Sequence, residues 1–174
     1  PKLFLSSMCV MAGRELSQVA IVKVGTMDKP MILPMPGNEN FARELAFAGG
    51  GEVSAIETRR FPDGETYLRL LAPVKGRAVD VVATLAGPDP DFLRLAFAAD
   101  AARAQGAARV RLVAPYLAYM RQDKAFKPGE AVTSDTFARL VSSLFDGLVT
   151  VDPHLHRRTA LSDLYDIPAA AVQA

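Results

Sequence analysis

Two polar clusters carry the residue types that hold a phosphorylated ligand: Arg121-Gln122-Asp123-Lys124 and Asp152-Pro153-His154. Arg121 offers a planar fork of donors that matches phosphate oxygens, and Lys124 adds a compact positive charge. Gln122 can read a base or sugar edge. Taken alone, the same four residues also describe a solvated loop with an Arg–Asp pair. In the second cluster, a carboxylate and an imidazole two residues apart at a strand end point to one side. Magnesium prefers oxygen, so Asp152 suits it better than His154, which would meet a phosphate oxygen or a ligated water. The competing reading is a strand-end histidine bonded to backbone. The chain's two histidines, His154 and His156, both sit here, but no third histidine completes a transition-metal sphere and Cys9 is remote. The two clusters together call for a polyanion held through a divalent cation, with a nucleoside triphosphate as the candidate.

A third group is Phe61-Pro62-Asp63-Gly64-Glu65. Its ring could stack on a base, and Asp63 or Glu65 could accept from an exocyclic amine. The plain alternative is a hairpin turn with a packed phenylalanine. Other phosphate-binding signatures are missing: there is no G-x-G-x-x-G, no Lys-Ser/Thr P-loop and no G-x-S-x-G elbow.

The elements that must position these groups alternate. Residues 31–35 form a short apolar strand, and Asn38 is placed to cap a helix over residues 39–47, stopped by Gly49-Gly50-Gly51. Strands over residues 53–61 and 66–71 flank the Pro62-Asp63-Gly64 turn. Residues 78–85 are a near-continuous apolar run, as a buried parallel strand requires. Asp89-Pro90 opens a helix over residues 91–105, followed by strands at 109–117 and 148–152. Between those strands, Phe137, Leu140, Val141 and Leu144 give an apolar stripe to a helix over residues 134–145. This order predicts an α/β fold with a mostly parallel sheet flanked by helices. Ligands of such sheets bind outside the carboxyl ends of the strands.

With 174 residues, half of them apolar, and a net charge of +1, the chain can bury a core and is poorly suited to nucleic acid. One cysteine, Cys9, excludes an internal disulfide and points to the reducing cytoplasm. No apolar run reaches the roughly 18 residues that span a bilayer. The segment 3–12 has the apolar core of a signal peptide without a convincing cleavage site. Residues 1–26 are expected to be an extension, with Met27 as a candidate start and 27–174 as the domain. The run after Ile167-Pro168 has no polar closing segment, as if the chain were cut there.

The order and spacing of RRFPDGETYLRL, APYLAYMRQDKAFKPGEAVTSDTFARLV and VTVDPHLH, followed by YDIP, resemble ribose-phosphate pyrophosphokinase over its N-terminal half. The resemblance implies a phosphoribosyltransferase-like domain. It implies transfer of the diphosphoryl group of ATP to the 1-hydroxyl of ribose 5-phosphate, giving phosphoribosyl pyrophosphate and AMP, with magnesium as cofactor. By the same resemblance, Arg121, Gln122, Asp123 and His154 meet ATP, and Asp152, His154 and Asp166 are metal-associated. Phe61, Asp63 and Glu65 would receive adenine from a neighbouring subunit, so the site is complete only in a homo-oligomer. The family's ribose-5-phosphate loop and mobile catalytic-lysine region lie beyond this half, so no catalytic residue is assignable here and the fragment alone is expected to be inactive. Pro153, and Ala169 to Ala171 where the family carries an acidic residue, depart from the pattern. They keep open a non-catalytic, synthetase-associated regulatory homologue. A plain phosphoribosyltransferase ranks below both, because no acidic phosphoribosyl pyrophosphate loop is found.

Overall fold

The computed structural model describes residues 29–155 and 157–173. The expectations for the segments 1–26 and 3–12, and for His156, fall outside those residues. Among the described residues, eight strands and three α-helices follow one another: β1 (Met31–Pro34), α1 (Glu39–Gly49), β2 (Glu52–Val53), β3 (Ile56–Arg60), β4 (Thr66–Leu70), β5 (Ala78–Val82), α2 (Pro88–Ala104), β6 (Arg109–Ala114), α3 (Thr133–Leu144), β7 (Leu148–Val151) and β8 (Ala169–Val172), with a 3-10 turn at Leu161–Asp163. Six strands form one sheet in the order β2-β1-β5-β6-β7-β8. Every pairing in it is parallel. β3 and β4 form a separate antiparallel hairpin. The predicted α/β class, with a mostly parallel sheet between helices, is what the chain adopts.

Strand order reverses between β1 and β5, and right-handed crossovers then put α1 on one face of the sheet and α2 and α3 on the other. A small cluster of Ile32, Ala42, Val82 and Val113 lies under α1. The main core runs from Met31, Val79 and Leu112 through Leu95 and Ala98 of α2 to Phe137 and Val141 of α3. Leu68 and Ile56 of the hairpin join that core, so the hairpin is carried on the α2 side.

Asn38 sits at the cap position of α1, but its side chain makes no cap hydrogen bond. Its carbonyl oxygen instead accepts from the Thr84 amide at 2.8 Å and the Thr84 hydroxyl at 2.9 Å. Its amide donates to the Met35 carbonyl at 3.2 Å. A residue read as a local helix start therefore pins the end of β1 to the end of β5, at the point where strand order reverses.

Several boundaries differ from expectation for local reasons. The strand expected over residues 53–61 is two strands: β2 pairs with β1, then the chain leaves Ser54 and joins β4. α2 begins at Pro88 rather than Asp91, since prolines suit the first helical turn, where amide donors are unpaired anyway. β6 stops at Ala114, before Pro115, which has no amide to donate. β7 stops at Val151 because Asp152 turns to φ +39°. β8 was not expected at all: an alanine run has low strand preference, and pairing with β7 imposes the conformation. Among the described residues, no helix is long and apolar enough to cross a membrane.

Candidate functional site

Beyond the carboxyl ends of β6 and β7 lies an open cleft of about 240 Å³. The loop after β6 contributes Tyr116, Leu117, Tyr119, Met120, Arg121 and Gln122; α3 contributes Thr133; the end of β7 contributes Val151 to His154. Arg121 and His154, 33 positions apart in sequence, thus face the same space, as do Gln122 and Asp152. The parallel pairing of β6 with β7 causes this, because it sets both strand ends side by side. Arg121 and His154 are both exposed, which suits groups that meet a dissolved anion.

Two non-glycine residues of the cleft, Tyr119 at φ +59° and Asp152 at φ +39°, occupy the left-handed region. Such backbone costs on the order of 1–3 kcal/mol per residue and persists only when surrounding contacts impose it. The Tyr119 ring is 4.9 Å from that of Phe137, and its hydroxyl donates to the Asp89 carboxylate. That hydrogen bond to Asp89 raises the phenol's pKa above its ordinary value, with desolvation adding to it. The Asp152 amide donates to the Val172 carbonyl at 2.9 Å, so β8 holds the turn that presents Asp152.

Gln122 docks on the start of α3: its side-chain oxygen accepts from the Thr133 hydroxyl at 3.3 Å, and its carbonyl from the Ser134 amide at 3.3 Å. Asp123 does not line the cleft. One of its oxygens pairs with Arg157 at 2.6 Å, and the side chain is 6 % exposed. Lys124 is exposed, 4.9 Å from the Phe126 ring centre, and is not among the residues lining the cleft.

Phe61, Asp63 and Glu65 are together at the tip of the β3–β4 hairpin, away from the cleft of their own chain. Asp63 accepts from the Glu65 amide at 3.0 Å, and Phe61 meets Tyr67 edge to face at 6.1 Å. The Arg59 guanidinium stands 4.6 Å from the Phe61 ring centre and 4.3 Å from that of Tyr67. This cation–π pairing keeps an exposed aromatic ring ordered without a core around it. Arg59 was not singled out from sequence, although the Arg59-x-Phe61 spacing along one extended strand, which puts both side chains on the same side, is a readable signal.

Asp166 is not brought to Asp152 and His154. β8 runs parallel to β7 with Leu148 opposite Ala169, so Asp166 lies at the amino end of the sheet and Asp152 at the carboxyl end. The Asp166 amide bonds to the Ser142 hydroxyl at 3.1 Å, which fixes it beside α3. Among the described residues, no three His, Cys, Asp or Glu side chains gather into a ligand set. Magnesium is commonly held by one or two carboxylates, waters and substrate phosphates. A cleft with Asp152 beside His154 fits a cation arriving with its phosphates, and does not fit a resident one caged by protein.

Behind His154 the chain is stapled by Asp163. One carboxylate oxygen accepts from the Thr159 amide at 3.0 Å, the Thr159 hydroxyl at 2.8 Å and the Ala160 amide at 3.0 Å. Those bonds, the Thr159 hydroxyl's first, lower its pKa below 3.8. A lowered folded-state value gives stability that is present above the unfolded pKa and lost as pH falls through the folded one. The staple should therefore hold at neutral pH and weaken only in acid, below the ordinary aspartate value of 3.8. A carbon-13 NMR titration of Asp163 should give a midpoint under that value; a midpoint at or above it would contradict the staple.

Residues 30–144 match the profile of the N-terminal domain of ribose phosphate pyrophosphokinase. The chain belongs to the ribose phosphate pyrophosphokinase family. The matched stretch includes the hairpin and the Arg121 loop, and stops before Asp152 and His154. Relatives agree: the ribose-phosphate pyrophosphokinase of Methanopyrus kandleri is 37 % identical over 144 residues, covering 83 % of this chain and 48 % of the relative. That of Halobacterium salinarum is 35 % identical over 144 residues, covering 83 % and 50 %. The chain thus spans about half the length of these pyrophosphokinases. A crystal structure of phosphoribosylpyrophosphate synthetase from Mycobacterium smegmatis superposes with a TM-score of 0.74 at 24 % identity, over 84 % of this chain and 49 % of that one. At that identity the superposition establishes the common pyrophosphokinase-type fold.

Proposed function

We propose that this chain is the ATP-binding half of a ribose-phosphate diphosphokinase. The whole protein would transfer the diphosphoryl group of ATP to the 1-hydroxyl of ribose 5-phosphate, giving phosphoribosyl pyrophosphate and AMP. The observation that carries the reading is that Arg121, Asp152 and His154 line one cleft at neighbouring parallel strand ends. Arg121 would grip phosphate oxygens through its fork, and His154 would hold the opposite side of the same phosphates. The first turn of α3, entered at Thr133, adds the positive end of a helix dipole to the cleft. Magnesium, bound through Asp152 and the phosphates, would neutralise charge and polarise the transferred group. Phosphoryl transfer asks mainly for such positioning and charge neutralisation, so the cleft needs no nucleophile of its own.

Phe61, Asp63 and Glu65 lie outside the cleft of their own chain, and the reading gives them the adenine bound in a second copy. Stacking would come from Phe61, and acceptance from the exocyclic amine from Asp63 or Glu65. The protein would then act as a homo-oligomer. Its single cysteine suits a reducing cytoplasm. The full-length protein should form AMP from ATP only when ribose 5-phosphate and magnesium are present. Absence of that activity in a folded, intact preparation would overturn the assignment.

A further inference from the structure

Arg157 and Arg158 have no part in the reading above, yet they join the two loops of the cleft. The Arg157 guanidinium reaches 2.6 Å from an Asp123 oxygen, across 34 positions of sequence. The Asp123 carboxylate is turned inward, and its second oxygen is buried with no hydrogen-bond partner. Arg158 pairs with Asp135 in the first turn of α3. Gln122, next to Asp123, bonds Thr133 at the start of that same helix. These contacts close a ring: the Arg121 loop holds α3, α3 holds Arg158, and Arg157 returns to the Arg121 loop. His154 lies three positions before Arg157, and Arg121 two before Asp123.

We infer that the Asp123–Arg157 pair is a positioning clamp, locking the Arg121 loop to the His154 segment so that both face one triphosphate before it binds. Neither clamp residue lines the cleft; Asp123 acts through Arg121 and Arg157 through His154. An inward carboxylate that loses the cation paired with it is left without compensation, so breaking the pair drives the loop outward rather than leaving it in place. Holding both sides of the cleft beforehand removes an ordering cost from binding. The clamp rests on the ATP reading, and its test separates the two.

In the full-length protein, Arg157→Gln should raise amide exchange in residues 119–124 and in residues 152, 154, 155, 157 and 158 together. It should weaken the binding of magnesium–ATP about tenfold, and inorganic triphosphate by the same factor, since the base is not involved. Arg157 donates to Asp123 through one nitrogen, so Arg157→Lys should restore most of the affinity. The paired exchange Asp123→Arg with Arg157→Asp should also recover exchange protection in both segments. Wild-type affinity with Arg157→Gln, or exchange confined to one segment, overturns the clamp and leaves the ATP reading intact. Failure of the wild type to bind either probe removes the ATP reading and the clamp with it.

Discussion

Asp80→Ala should destabilise the domain by about 3–5 kcal/mol, the usual cost of removing one partner from a buried ion pair. Asp80 lies in the middle of β5, directly opposite Arg111 of β6. Two Arg111 nitrogens each approach an Asp80 oxygen at 2.6 Å. The Asp80 side chain is 7 % exposed and that of Arg111 19 %, so little water reaches the pair to replace the lost partner. Domains of this kind are stable by about 5–15 kcal/mol, which makes the expected loss a large fraction of the whole. Denaturant unfolding should show a lower midpoint with an unchanged slope. Replacing both partners together, Asp80→Val with Arg111→Leu, should recover much of the loss, because no charge is then stranded. An Asp80→Ala midpoint equal to that of the wild type would show that the pair does not hold β5 to β6.

Arg121→Ala should weaken magnesium–ATP binding by ten- to a hundredfold while leaving the fold intact. A hydrogen bond to a charged group contributes about 1.5–3 kcal/mol, and each 1.4 kcal/mol is a factor of ten. Arg121 is exposed, so its truncation opens no cavity and strands no partner in the interior. The variant should also bind with a weaker dependence on ionic strength, since one positive charge of the cleft is gone. Titration calorimetry at two salt concentrations reads both effects. Unaltered affinity would remove Arg121 from the phosphate site and leave the shared cleft without its cation.

Much of this architecture is readable from local pattern. The apolar run of β5, the stripe on α3 and the Asp89-Pro90 entry to α2 each announce an element, and their alternation gives the parallel sheet. The Arg121 and His154 clusters are readable because both follow strands, and strand ends converge in such sheets. What escaped reading depends on pairing between distant segments. Asp80 interrupts an apolar strand for no local reason; Arg111, 31 positions on, supplies it. Asn38 looks like a cap and serves as a tie to Thr84. β8 is an alanine run that only a neighbouring strand makes extended. Asp166 carries the right residue type, but the parallel register sends it to the far end of the sheet. Asp123 resembles its neighbours in the cluster, yet the chain turns it inward to Arg157.

Tyr119 and Asp152 hold backbone angles at which glycine would rest more comfortably than either residue. The rim of the cleft is thus under a tension that the rest of the sheet does not share. Changes that relieve it would make the protein hardier, and would do so by erasing the wall and the carboxylate that give the cleft its character.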